Sequence, residues 1–249
     1  MAGKVYLVGA GPGAPDLLTV RASRVLGRAD VVFYDALVHP ETIALAAHAE
    51  LVAVGKRSGK RSTAQRFINK RLVDAAQKHA IVVRLKGGDP MLFGRAHEEI
   101  EALRAAGIEL EIVPGVTAAL AASAALGISL TRRGAARSVV FLTPRAGEGE
   151  KPNDWFRVAQ AADTAVIYMG VGEAARITTD LIAAGKREDT PVVVVESASL
   201  ADERRYPLLL RDLPRIVELG LTGPAVILLG EVYAEVQSPS LATTKALCA

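Results

Sequence analysis

The chain has almost no cysteine: Cys248, near its end, is the only one in 249 residues. No disulfide can close within it, and no thiolate cluster can hold a metal. The histidines, His39, His48, His79 and His97, lack ligand spacing of the H-E-x-x-H kind, so no metal site is expected. Aromatics make up 4% of residues, too few to interleave with cations as a stacking platform for single-stranded nucleic acid. Neither sign of charge dominates, with 30 Lys and Arg against 27 Asp and Glu, a net +3. The cations are uneven: Lys56, Arg57, Lys60, Arg61 and Arg66 form one cluster, and Arg132, Arg133, Arg137 and Arg145 another. A solvated basic face accounts for any one of them. A polyanionic small molecule accounts for the clusters at least as well as nucleic acid does, and no nucleic-acid partner is expected.

Long hydrophobic runs are also scarce. One uncharged stretch, Ile112 to Thr131, has the length of a membrane span. Pro114, Gly115 and Gly127 interrupt it and alanine fills it, so it reads as a turn and a small-residue helix of a soluble domain, with no membrane partner. No secretory signal precedes the first strand, and the expected location is the cytoplasm. What is present is apolar: half of the residues are hydrophobic. A chain of this length buries roughly 70–75% of its unfolded surface in one or two domains.

The richest stretch is Arg84-Leu85-Lys86-Gly87-Gly88-Asp89-Pro90-Met91-Leu92-Phe93-Gly94-Arg95. A β-rich run, Ile81–Leu85, ends in two glycines, where backbone can approach a ligand that a Cβ would block. Pro90 restricts Asp89 to extended backbone. Asp89 and Arg95 then read as one fixed acid and one fixed cation at the mouth of a binding cleft. The N-terminus repeats the theme: a short strand from Lys4 to Val8, then Gly9-Ala10-Gly11-Pro12-Gly13-Ala14-Pro15. Ligands of open α/β sheets sit beyond the carboxyl ends of strands, so the two glycine-rich ends point to one small-molecule site.

Strands are expected at Val5–Val8, Val31–Tyr34, Leu51–Val54, Ile81–Leu85 and Glu109–Val113, with helices at Leu17–Arg28, Thr63–Lys78 and Gly94–Ala106. This alternation implies a mostly parallel sheet. Pro114-Gly115 is a strong break. Strands follow at Ser138–Leu142, Ala165–Met169, Val192–Glu196, Tyr206–Leu210 and Ala225–Gly230, with helices at Val116–Leu126, Asp154–Ala161, Gly172–Ala184 and Leu213–Leu219. The expected division is an N-terminal α/β domain over 1–114, a C-terminal α/β domain over 115–236 and a fraying tail over 237–249.

Gly9–Ala14 formally satisfies G-x-G-x-x-G/A, and Asp35 supplies a later acid at a strand end, which keeps a dinucleotide-binding oxidoreductase as an alternative. Pro12 and Pro15 count against it, because they remove N–H donors from the turn that should cradle a pyrophosphate. The GKR segments at Gly55 and Gly59 lack the Ser/Thr and the spacing of a P-loop. Thr117 in Val113–Ala118 falls in the first turn of a helix, where its hydroxyl either caps that helix or meets a polar ligand group. Met169, ending a strand, either fills core or packs on a flat apolar ligand.

In their order and spacing, Gly9–Asp16 (GAGPGAPD), Tyr34–Val38 (YDALV), Gly55–Arg57 (GKR), Arg84–Arg95 (RLKGGDPMLFGR), Pro114–Ala118 (PGVTA), Tyr168–Gly170 (YMG) and Pro224–Glu231 (PAVILLGE) resemble the tetrapyrrole methylases, and among these the uroporphyrinogen-III C-methyltransferases. The resemblance runs from about Lys4 to Val236. It implies two α/β domains, each a mostly parallel or mixed sheet flanked by helices, with the active site in the cleft between them, and a homodimer. It implies S-adenosylmethionine as methyl donor, with S-adenosylhomocysteine released. Carried over, Pro12, Gly87, Gly88, Asp89, Leu92, Thr117, Ala118, Met169, Ala198 and Ala225 would bind that cofactor, and Asp35, Arg95 and Glu98 would face the substrate. The implied reaction puts methyl groups on C2 and C7 of uroporphyrinogen III, by way of precorrin-1, to give precorrin-2. The sequence departs from the family at Thr131-Arg132-Arg133, where many members have T-H-R. It departs again at Thr143-Pro144-Arg145, where many have T-G-H, and at Ala96-His97, which replaces two glycines. Cofactor motifs are intact while positions expected to face substrate differ. A methyltransferase acting on a later precorrin is therefore the nearest alternative, and a non-catalytic tetrapyrrole-binding protein a more distant one.

Overall fold

The computed structural model describes residues 2–55, 65–147, 149 and 153–237. Lys56, Arg57, Lys60 and Arg61 of the first basic cluster, and all of the expected tail but Gln237, lie outside the described residues. In chain order the elements are β1 (Lys4–Gly9), α1 (Val20–Leu26), β2 (Val31–Tyr34), α2 (Pro40–Ala44), β3 (Glu50–Ala53), α3 (Gln65–Ala76), β4 (Ile81–Lys86), α4 (Ala96–Ala105) and β5 (Leu110–Val113). There follow α5 (Ala118–Leu126), β6 (Val139–Leu142), α6 (Trp155–Ala161), β7 (Thr164–Tyr168), α7 (Ala174–Ala183), β8 (Pro191–Glu196), β9 (Arg204–Leu209) and β10 (Ala225–Gly230). The chain divides into two compact units, Met1–Ala118 and Ala119–Ala249.

Among the described residues the first unit holds one parallel sheet in the order β3-β2-β4-β1-β5. Its strands read as near-continuous apolar runs because both faces are covered. Leu7, Phe33 and Val82 pack under α3 and α4 on one face. Val8, Val32, Val83 and Leu85 pack under α1 on the other. The chain thus leaves β1 toward one face and leaves β4, its neighbour, toward the opposite face. That divergence is a topological switch point, where connections part and open a crevice at the strand ends.

The second unit is mixed, in the order β6-β7-β10-β8-β9. β6 and β7 are parallel, whereas β10 runs antiparallel to both β7 and β8. The alanine-rich α5 lays Ala119, Ala121 and Ala122 against Val166, Val193, Val195 and Leu228. Small side chains allow that close approach, so the uncharged stretch includes a strand end, a turn and a helix buried on one face. Among the described residues no helix is long and apolar enough to cross a membrane.

Three expected helices differ in form. The span Leu17–Arg28 is a single 3-10 turn at Pro15–Leu17 followed by α1, because Thr19 caps the true start by accepting the Ala22 N–H at 3.2 Å. Leu213–Leu219 belongs to a longer 3-10 helix, Leu210–Leu219, where Pro214 lacks the N–H an α-helix would need. The helix expected from Val116 begins at Ala118. Helix α2, five residues entered through His39-Pro40, has too short a period to announce itself.

Candidate active site

Gly9, Gly88 and Gly115 come from the ends of β1, β4 and β5 and meet backbone to backbone. A Cβ on Gly9 would lie 2.6 Å from Gly115 Cα, and one on Gly115 only 2.3 Å from the Gly88 carbonyl oxygen. Gly11 and Gly88 exchange hydrogen bonds, Gly88 N–H to Gly11 O at 2.7 Å and Gly11 N–H to Gly88 O at 3.2 Å. The two glycine-rich strand ends therefore form one place.

Asp89 ties this place together. Its Oδ2 accepts the Gly115 N–H at 2.9 Å and its Oδ1 the Met91 N–H at 2.8 Å. The acid read from the sequence is thus a brace for the backbone. Thr117 stands immediately before α5 rather than in its first turn. Asp35, at the end of β2, joins from the other side. Its Oδ2 accepts the Gly87 N–H at 3.3 Å and its Oδ1 the Leu37 N–H at 3.0 Å. Pro12, Gly87, Gly88 and Leu92 are all half-buried along this edge.

Arg95 sits just before α4 in left-handed backbone, at φ 55°. Its guanidinium forms a fork on Glu98, Nε to Oε1 at 2.7 Å and Nη2 to Oε2 at 2.9 Å. The cation read from the sequence is thus half of a pair. Nη1 and one Nη2 hydrogen remain for another acceptor.

Beneath them lies a cluster that the sequence reading missed. Glu99 is fully buried and accepts from Arg84 Nε at 3.0 Å, Lys86 Nζ at 2.9 Å and Gln65 Nε2 at 3.1 Å. Arg84 also donates to the carbonyls of Leu85 and Phe33, and its Nη2 lies 4.0 Å from Asp35 Oδ2. Burial, then the Arg84 charge, pushes the Lys86 ammonium below its usual range, and Glu99 opposes this. A signal existed: Arg84 and Lys86 alternate with Val83 and Leu85, so both cations face one side of a buried strand.

The second unit gathers Met169, Ala198 and Ala225 at one end of its sheet, whereas Thr117 and Ala118 close the first unit. β7 and β8 end where the antiparallel β10 begins, with Tyr168 opposite Val226 and Glu196 opposite Ala225. Met169, exposed, leaves β7 at φ 55°, and the buried Ala198 lies between Ser197 and Ser199, at φ 51° and 75°. Tyr168 Oη accepts the N–H of Ala119 at the start of α5. Arg132 forms an exposed pair with Glu235 at 2.8 Å. Arg145 N–H donates to Thr143 Oγ1, and the Pro144 carbonyl accepts from Arg176.

Glu196, also missed, holds these loops. Its Oε1 accepts the Thr222 and Gly223 N–H groups, both at 2.7 Å, its Oε2 accepts from Tyr206 Oη at 3.1 Å, and Arg204 Nε forms an ion pair with Oε2 at 3.0 Å. Burial pushes this carboxyl up, but the Gly223 and Thr222 N–H groups, the Tyr206 hydroxyl and Arg204 together hold it below the usual carboxylate range. Its stabilisation is therefore complete above the unfolded carboxylate's pKa of about 4.3 and is lost as pH falls through the lower folded value. Glu196→Gln should cost about 1–3 kcal/mol at neutral pH. The difference from wild type should narrow in denaturant titrations run near pH 3; a gap unchanged with pH would contradict the assignment.

A doubly wound sheet with paired glycines at its switch point, followed by a mixed-sheet unit with its own strand-end cluster, defines an α/β protein built to hold small molecules. The family model of the tetrapyrrole (corrin/porphyrin) methylases matches residues 4–214, and the chain belongs to that family. It is 47% identical over 242 residues to a uroporphyrinogen-III C-methyltransferase of Pseudomonas aeruginosa, covering 96% of this chain and 97% of that one. It is 45% identical over 232 residues to a siroheme synthase of Pseudomonas fluorescens, covering 92% of this chain but spanning only 50% of that protein's length. Among solved structures, uroporphyrin-III C-methyl transferase from Thermus thermophilus, complexed with S-adenyl homocysteine, superimposes with a TM-score of 0.82 at 41% identity, covering 94% of this chain and all of that one. The dinucleotide alternative loses its physical basis: the turn after β1 runs into a 3-10 turn, and no α-helix N-terminus follows until Val20.

Proposed function

We propose that the chain transfers methyl groups from S-adenosylmethionine to C2 and C7 of uroporphyrinogen III, through precorrin-1, to give precorrin-2. The near end-to-end similarity to the Pseudomonas aeruginosa enzyme carries this reading. The residues fit the methyl donor. A Cβ on Gly88 would meet no atom within 4 Å, so open space lies directly against that backbone. In the first unit Pro12, Gly87, Gly88 and Leu92 supply small and apolar surface for a nucleoside beside the Asp89 carboxylate; Thr117, Ala118, Met169, Ala198 and Ala225 are the further cofactor-binding residues of this reading.

When bound, S-adenosylmethionine supplies a methyl already activated on a sulfonium. The protein's part is alignment, worth on the order of 7–11 kcal/mol when geometry is good. Arg95 holds a substrate carboxylate with the N–H groups Glu98 leaves unused; guanidinium stays protonated and is no base. Asp35 or Glu98 takes the departing pyrrole proton, directly or through water. The substrate's eight carboxylates are partners for the basic clusters. A homodimer in the cytoplasm, without nucleic acid, belongs to the same reading.

Anaerobic incubation with S-adenosylmethionine and enzymatically generated uroporphyrinogen III should add two methyl groups and yield the absorbance of precorrin-2. No transfer despite S-adenosylhomocysteine binding would move the substrate to a later precorrin. Arg95→Ala should raise the KM for the tetrapyrrole by about 10- to 100-fold, the loss of a charge-assisted bond, and leave S-adenosylhomocysteine affinity unchanged by calorimetry. An unchanged KM would remove Arg95 from the substrate site.

A further inference from the structure

The segment from Gly94 to Glu99 carries the Arg95–Glu98 pair, and one buried side chain touches both of its ends. Lys86 Cε lies 3.1 Å from where a Gly94 Cβ would stand, so the lysine stem runs directly under the turn. Lys86 Nζ then reaches Glu99 Oε2 at 2.9 Å. Phe93 and Arg95, on either side of Gly94, are held at φ 51° and 55°. Such left-handed backbone in residues other than glycine persists only where its surroundings over-determine it. A second tether acts from α3: Asn69 Nδ2 donates to the Glu98 carbonyl at 3.0 Å, and Gln65 joins Asn69 to Glu99. Burying a second cation next to Arg84 is expensive, and helix packing alone does not require it.

We propose that Lys86, acting through Glu99 and Gly94, is a positioning residue that sets the aim of the Arg95–Glu98 pair toward the substrate. The inference rests on the methyltransfer reading above. Lys86 itself touches no reacting atom. It fixes the turn before Arg95 and the residue after Glu98, so the fork between them has one orientation.

Lys86→Met tests this, because it keeps the stem's length and leaves Arg84 and Glu99 as a charge-balanced pair. Its kcat/KM for uroporphyrinogen III should fall about 100-fold, as expected when a catalytic geometry shifts by about 1 Å, with S-adenosylhomocysteine affinity unchanged. In an Arg95→Ala background the same substitution should cost nothing further, since residues acting through one another are not additive. A parallel loss of cofactor affinity, losses that multiply with Arg95→Ala, or no loss at all would each overturn the proposal. Lys86→Gln, which keeps a donor near Glu99, serves as the second variant if Lys86→Met does not fold, with the same criteria. If wild type methylates nothing, the functional reading fails, and the positioning claim is decided by a crystal structure of the variant. A displaced Arg95–Glu98 pair supports it, and an unmoved pair overturns it.

Discussion

Glu99→Ala should lower folding stability by about 3–5 kcal/mol, the cost of breaking a buried ion pair by removing one partner. Arg84 and Lys86 are each only 4% exposed, and the substitution would leave two cations in the interior without their shared carboxylate. The nearest remaining acid, Asp35, is 4.0 Å from Arg84 and already accepts two backbone N–H groups. The deficit should shrink as pH rises from 7 toward 10. Without Glu99 the folded state holds the Lys86 proton still less tightly than the unfolded chain does, so the unfolded chain binds more protons and stability rises with pH. Urea denaturation across that range reads both effects. Glu98→Ala is the control, because its pair with Arg95 is solvent-exposed and should contribute no more than about 1 kcal/mol. Equal losses in the two variants would show that the buried cluster is not the stronger device.

Gly115→Ala should be nearly as damaging, and its effect should fall on cofactor affinity as well. The added Cβ would stand 2.3 Å from the Gly88 carbonyl oxygen and 2.8 Å from Gly9 Cα, and neither is the flexible end of a side chain. Relief requires parting the ends of β1, β4 and β5, which would also stretch the Asp89–Gly115 bond. A loss of about 3 kcal/mol, the upper end of ordinary overpacking, is expected in chemical denaturation, with S-adenosylhomocysteine binding abolished in calorimetry. Gly127→Ala separates this from loss of glycine freedom. Gly127 has φ +69° but open space around it, so the variant should lose about 1–2 kcal/mol and bind normally. Normal binding by Gly115→Ala would show that the junction of the three strand ends is not part of the cofactor site.

Much of the first unit was legible because its signals are local. The run Ile81–Lys86 ending in Gly87-Gly88 is apolar, β-branched and abruptly broken, and it is β4 with its strand end at the site. The same holds for Lys4–Gly9 and the turn after it. The interruption at Pro114-Gly115 separates β5 from α5 as its composition requires. Glu99 was illegible for the opposite reason. A glutamate in a charged helical segment looks solvated, and only the placement of β4 beneath α4 shows that it faces two strand cations. Glu196 looked like an ordinary strand end, yet its partners Thr222 and Gly223 lie in a loop far along the chain.

The sequence by itself determined the order of the strands and of the helices other than α2, the glycine-rich ends where a ligand can approach backbone, and the family. These follow from side-chain periodicity and from the special backbone freedom of Gly and Pro, which act over a few residues. Only the tertiary structure decided that β4 inserts between β2 and β1 and so brings Asp35, Gly11, Gly88 and Asp89 together. It alone decided that β10 runs antiparallel between β7 and β8, and that Arg84, Lys86 and Glu99 share one buried site. Strand pairing and charge burial join segments distant in the chain, and which segments meet depends on the competition of all possible partners rather than on any local pattern.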